Sequence, residues 1–499
     1  MVRAIVDELL RRPWLALVLA LLVQIVVFVF GQSDLPVADP LWYANIAHKI
    51  AVDPSTVFDH AEIHPFVMRV GLTMPVAVLY KLFGVSTLTT NLYALWAALG
   101  VIIIVYAAAP SPRAKLLGMV LATFCVALLR NANVLNVDLP AATWMGAAVL
   151  CLSRRDRPRG TWWIVGAAVA TIAAFLVKET AVWLAVVWLY TLAVDVRSDA
   201  RAALRRFAPG LVVGAVLTAA YLWVCARVWG SPFARFSGIE ELTYEHTWSL
   251  QGKPASAWVN RLTWQAPWFL LAQFQLLLPI ALASPWLVRG RLRIWVVAAA
   301  AFVLLFWFGS SSLSAYTPLP LVPRMVMPIL PVLLVVATLT ADAAIDRVRD
   351  ASWRIALAIV LALALVIPTG RAMLKLVLRQ HPETDAFAIV RHTAATGNST
   401  IVVCAEERCG AAGNFHFGFE IPANVSFNSV TEYASQYRND AHVFVLVNLH
   451  RIGPQSEHVK LIEALHLPSL TGHRYVKLYD AGDGAALRLA LQSTLHWDP

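Results

Sequence analysis

Eleven apolar stretches of this chain are free of Asp, Glu, Lys, Arg and His, and the short connections between them alternate between Arg-rich and sparsely charged. The pattern predicts a polytopic α-helical membrane protein with apolar cores near 14–31, 87–108, 116–129, 139–153, 161–177, 180–194, 209–226, 267–288, 294–309, 325–341 and 355–370. Composition agrees: 59% of the 499 residues are hydrophobic and 14% charged, more apolar than a soluble core needs. The net charge of +10 does not imply nucleic acid, because the basic residues sit in short blocks at the ends of apolar runs, where they set orientation.

One stretch decides the parity of the spans. Pro65 to Gly84 is nearly as apolar but carries Arg69 and Lys81. If it crossed, five basic clusters, from Arg113/Lys115 through Arg154/Arg155/Arg157/Arg159 to Arg347/Arg349/Arg354, would face outward against the positive-inside rule. Lying along the surface, it leaves them with Arg3, Arg11 and Arg12 on the cytoplasmic side. The expectation is therefore a multi-pass protein of the cytoplasmic (inner) membrane, amino terminus inside, begun by an uncleaved signal anchor.

Three segments then face outward: the loop 32–86 within a membrane domain 1–370, the stretch from Trp229 to Pro267, and a tail, 371–499, of ordinary composition. In the loop, Trp42, Tyr43, Ile46, Ala47 and Ile50 recur on one helical face, as in a helix resting in the interface. In the tail, helices over Asp385–Thr396, Val430–Arg438 and Glu457–Leu465 and strands over Thr400–Cys404, His442–Asn448, Arg474–Tyr479 and Ala485–Leu489 predict a small extracytoplasmic α/β domain. Cys404 and Cys409 form a C-x4-C pair suited to a disulfide in an oxidising compartment; a zinc site built from two cysteines would be incomplete.

Asp39 opens the interfacial helix, followed by Pro40. Asp before Pro is a good helix start, with Asp at the N-cap. A carboxylate there, shielded by Trp42 and neighbouring helices, is also a candidate general base. His60, Glu62 and His64 fall at alternate positions and are either hydrogen-bonded structural groups or ligands for a divalent metal ion. Lys178 and Glu179 form the turn between two spans, where they either compensate each other or meet a phosphate.

The run Asp39-x-x-x-Tyr43-Ala44-x-Ile46-Ala47, then His64-Pro65 followed by Tyr80-Lys81-Leu82-Phe83-Gly84-Val85-Ser86, then Asp138-Leu139-Pro140, then Pro323-Arg324-x-x-x-Pro328-x-x-Pro331, resembles the motif order of GT-C glycosyltransferases. The likeness covers about residues 1–340 and is greatest to the branch of protein O-mannosyltransferases and lipid A aminoarabinose transferases. It implies transfer of a sugar from a polyprenyl-phosphate donor to a lipid, glycan or protein acceptor on the outer face, with Asp39 as base. It also implies a donor- or metal-contacting role for Asp138, and Tyr43, Lys178 and Arg324 are further candidates for donor or phosphate binding. Position alone makes Asp138 a helix start and Arg324 a snorkelling anchor, whereas a guanidinium suits a departing lipid phosphate. The family's Asp-Glu is Asp39-Pro40 here, which removes a second carboxylate used there for metal or donor contacts, and its Arg-Tyr is Arg324-Met325. One carboxylate acting by direct displacement implies inversion at the anomeric carbon. A lipid-linked sugar flippase and a noncatalytic envelope-assembly subunit are the alternatives.

Overall fold

The computed structural model describes residues 2–32, 34–35, 38–58, 65–242, 250, 252–310, 316–348, 351–377, 382–405, 409–435, 441–449 and 456–495. Seven helices among these are long and apolar enough to cross a membrane: Pro13–Phe30, Thr87–Ala108, Gly160–Val177, Glu179–Ser198, Ala200–Trp229, Gly290–Phe308 and Pro323–Arg347. The protein is a multi-pass membrane protein. Within Pro323–Arg347 the stretch from Leu330 to Thr340 is free of charge and buried on every face, as a helix at the centre must be. Around it, outward-facing Trp162, Leu189, Trp223 and Trp286 remain exposed. Small residues let the backbones close up: a Cβ added at Gly146 would lie 2.9 Å from Pro331 Cβ.

Two expected spans are interrupted. The stretch 116–129 is divided into Pro112–Thr123 and Val126–Asn131. The stretch 267–288 is divided into Ala266–Phe274, Leu277–Leu282 and Ser284–Leu287, broken at Gln275, whose φ is +47°, with Pro279 and Pro285 following. The ambiguous 65–84 region forms the helix Val70–Phe83. Its fourteen residues rise about 21 Å, short of a bilayer's hydrocarbon core. It packs against Asp39–Val52, Thr87–Ala108 and Gly160–Val177, while Met74, Val78, Leu82 and Phe83 stay exposed. Gly71 permits this, since a Cβ there would sit 2.8 Å from the Val177 backbone nitrogen.

The helix Asp39–Val52 buries Tyr43, Ala44, Ile46, Ala47 and Ile50, the predicted face with one exception. Trp42 is 58% exposed, so it does not shield Asp39 from within.

The last membrane-domain helix, Ala351–Val377, leads to a four-stranded sheet of order β2-β1-β3-β4. Its strands are β1 (Ser399–Cys404), β2 (Val425–Ser429), β3 (Ala441–Asn448) and β4 (Val476–Asp480). β1 pairs in parallel with β2 and β3, and β4 runs antiparallel to β3. Helices cover both faces, so β1 and β3 are almost wholly buried. Ala485–Leu489, expected as a strand, begins the helix Ala485–Leu495; Leu487 and Leu491, four apart, supply its buried stripe. β2 and the helix Cys409–His416 were not anticipated. Cys404 and Cys409 are joined as a disulfide, tying the end of β1 to that helix. The sheet domain is fastened to the segment before the Asp39 helix by Asp34, whose carboxylate accepts hydrogen bonds from the Glu383 and Thr384 backbone N–H groups at the start of Pro382–Ala394 (2.9 and 3.3 Å).

Candidate active site

Asp39 is the first residue of its helix, with Ala38 at the N-cap, and its side chain makes no capping bond. The expected Asp cap is therefore not formed. Instead Arg324 Nη2 donates to Asp39 Oδ2 at 2.6 Å. Arg324 lies in a 3₁₀ segment, Pro323–Ile329, where the prolines restrict the backbone and fix the direction from which the guanidinium approaches. Its Nε is also 4.0 Å from Asp138 Oδ2.

Asp138 begins the helix Asp138–Ser153 without capping it. Fully buried, it accepts a short hydrogen bond from Lys178 Nζ, and Lys178 Nζ is 3.3 Å from Met325 Sδ. Charges thus alternate along Asp39, Arg324, Asp138 and Lys178, gathered from four separate regions of the chain. Asp138 Oδ2 has no hydrogen-bond partner. Lys178 and Arg324 flank this buried carboxylate on two sides, the pairing that burial of a carboxylate calls for.

Lys178 and Glu179 do not compensate each other. Glu179 faces the opposite way, accepting from Arg235 Nε at 2.7 Å and Arg69 Nη2 at 3.2 Å. Arg69 also donates to the Tyr43 hydroxyl, and Arg235 lies over the Phe175 ring. Tyr43 is fully buried within this second network. Burial pushes its phenol above the ordinary range; Arg69 opposes that rise and Asp39 adds to it. It therefore acts as a neutral hydrogen-bonding group. Sequence reasoning missed Arg235, and it treated Arg69 only as an obstacle to spanning. The available signal for Arg69 was an ionisable group in an apolar run, which demands a buried partner.

Arg324 also reaches a cavity of about 550 Å³, lined on its polar side by Arg130, Asn131, Gln273, Gln275, Arg324 and Arg371. The two interrupted spans open onto it: Val126–Asn131 supplies Arg130 and Asn131, and the break after Phe274 supplies Gln275. Irregular backbone at membrane depth is tolerated where it lines a polar cavity. Arg130 and Arg371 form no ion pair among the described residues.

His60, Glu62 and His64 lie outside the described residues. Among the described residues no group of three or more His, Cys, Asp or Glu is placed to hold a metal ion. Asp39 and Asp138 both face the Arg324 guanidinium rather than a shared cation position, so this pair alone does not fit a metal.

No protein-family model matches the chain, and no curated protein matches it in sequence. Solved structures do. ArnT from Cupriavidus metallidurans in the apo state aligns with a TM-score of 0.60 at 16% identity, covering 94% of this chain and 98% of that one. The same protein bound to undecaprenyl phosphate aligns with the same score and identity over 95% of this chain. The chain shares the fold of these ArnT structures. The oligosaccharyltransferase of Archaeoglobus fulgidus, in complex with zinc and sulfate, aligns with a TM-score of 0.51 at 13% identity, over 87% of this chain and 68% of that one. The likeness to ArnT thus extends through the sheet domain, well beyond the first 340 residues that carry the motif resemblance.

Proposed function

We propose that this GT-C protein is a glycosyltransferase that moves a sugar from a polyprenyl-phosphate donor to an acceptor on the outer face of the membrane. The supporting observation is the double duty of Arg324, which pairs with Asp39 on one side and lines an arginine-rich cavity on the other. The cavity takes the donor phosphate, with Arg130, Arg324 and Arg371 as its counter-charges. One of the two ArnT structures contains undecaprenyl phosphate, a ligand of the class this cavity would receive.

While Arg324 Nη2 donates to Asp39 Oδ2 at 2.6 Å, that carboxylate oxygen is occupied and not open to an acceptor hydroxyl. When the donor phosphate engages Arg324, the phosphate oxygens compete for its N–H groups and release the carboxylate. Asp39 then accepts the proton of an acceptor hydroxyl as that oxygen bonds to the anomeric carbon. The bond from that carbon to the phosphate oxygen breaks, and polyprenyl phosphate leaves as an anion held by the arginines. Direct displacement inverts the anomeric centre. Asp138 and Lys178 hold Arg324 in register from behind rather than touching the donor, and Tyr43 supports Arg69 in the same way.

The reading is tested with purified protein in liposomes. Radiolabelled sugar on a polyprenyl-phosphate donor should appear on an acceptor from envelope extracts, with loss in Asp39→Asn. Movement of the labelled lipid across the bilayer without sugar transfer would make the protein a flippase instead.

A further inference from the structure

A second recess, of about 240 Å³, lies between the Asp39 helix and the sheet domain. The helix contributes Leu41, Trp42 and Asn45; the sheet domain contributes Asn414, at the end of the disulfide-tied helix, and Phe419. The lining pairs aromatic faces with amides. Asn45 is half-buried and Asn414 exposed, and among the described residues neither side chain has a hydrogen-bond partner, so both amides are open to a ligand's hydroxyl groups.

Phe419 is held there at a cost. Its φ is +66°, a left-handed conformation unfavourable for a residue with a bulky side chain. Its ring stacks on His48 with centroids 4.8 Å apart and meets Phe415 edge-on at 5.9 Å. Strain that fixes one aromatic face at the mouth of a recess points to use of that face.

We propose that this recess is an acceptor subsite that seats a pyranose ring, making the acceptor a glycan-bearing molecule. A sugar presents an apolar C–H face to an aromatic ring and hydroxyl groups to amides, which matches this lining. A single ring suits the volume, which is below that of a pocket for larger ligands. The recess shares no lining residue with the arginine cavity; Ala38, the residue before Asp39, lines the recess, and Arg324, the partner of Asp39, lines the cavity. The base therefore adjoins the sugar side and the guanidinium the phosphate side. The catalytic meaning of the subsite rests on the glycosyltransferase reading; its sugar binding does not.

The test uses the full chain in phosphatidylglycerol nanodiscs, free of sugar detergents. Saturation-transfer NMR is recorded with methyl α-mannoside, methyl β-glucoside and methyl β-galactoside, with and without undecaprenyl phosphate. At least one glycoside should bind, undecaprenyl phosphate should not displace it, and Asn414→Ala or Asn45→Ala should weaken it roughly fivefold. Phe419→Gly, which relieves the backbone while removing the ring, should weaken it similarly in folded protein. No binding by any glycoside, displacement by undecaprenyl phosphate, or undiminished binding in all three variants would overturn the subsite. Intact binding in a protein that transfers no sugar from any polyprenyl-phosphate donor would count against the glycosyltransferase reading and leave the subsite standing.

Discussion

At the scale of residues, the proposed transfer turns on one guanidinium that faces two carboxylates. Because Asp39 makes no capping bond and its pair with Arg324 is partly exposed, Asp39→Asn removes little stability. It removes the proton acceptor, so turnover should fall roughly 10²- to 10⁴-fold, measured as sugar transfer at saturating donor with the melting temperature unchanged. Wild-type turnover would reduce Asp39 to a partner of Arg324. Lys178 differs in kind, because it neutralises a carboxylate with no access to water. Lys178→Met should destabilise by about 3–5 kcal/mol. Adding Asp138→Leu should recover much of that loss in thermal unfolding while leaving transfer impaired, since Arg324 then lacks its backing charge. The identities of Asp39, Asp138, Lys178 and Arg324 were legible as charges beside apolar runs, but their pairing was not. Adjacency suggested Lys178 with Glu179; the helix geometry sends them to opposite partners, because neighbouring residues on a turn do not share a face.

At the scale of elements, the helix Asp39–Val52 is the hinge between the two halves of the site. It packs inward on Val70–Phe83 and touches the sheet domain through His48 and Phe419. Its amphipathic spacing was readable, whereas the outward turn of Trp42 was not, because the surface that Trp42 borders is supplied from some 370 residues further along the chain. The two interrupted spans were likewise invisible to hydropathy, which registers apolar content and not backbone breaks. His48 makes the contact with the sheet domain pH-sensitive. Burial holds its pKa below the ordinary 6.5, with Glu420 opposing. Folding thus favours the neutral ring, so the contribution is full above 6.5 and is lost as pH falls through the depressed value. Limited proteolysis between the domains should accelerate from about pH 7.5 to about pH 5.5, and His48→Asn should flatten the change. An equal acceleration in that variant would place the sensitivity elsewhere.

At the scale of the whole molecule, charge is sorted to the two ends of the long helices. Near one end Arg155 and Arg206 converge on Asp195 at 2.9–3.0 Å, with Arg206 also reaching Asp156. From there the helix Ala200–Trp229 runs thirty residues, about 45 Å, more than the roughly 30 Å of a hydrocarbon core. It ends near Arg235 and Glu179, at the level of the candidate site. Ser198 lies at the first end and Ser256 beyond the second, next to Arg261, whose guanidinium donates to the Leu319 carbonyl at 2.8 Å. The positive-inside rule assigns the first end to the cytoplasm. With Cys125, Cys151 and Cys225 replaced, Ser256→Cys in intact cells should react with a membrane-impermeant maleimide and Ser198→Cys only after permeabilisation. The reverse pattern would put Asp39, Arg324 and the arginine cavity on the cytoplasmic face and remove the case for an outer-face acceptor, whatever the fold.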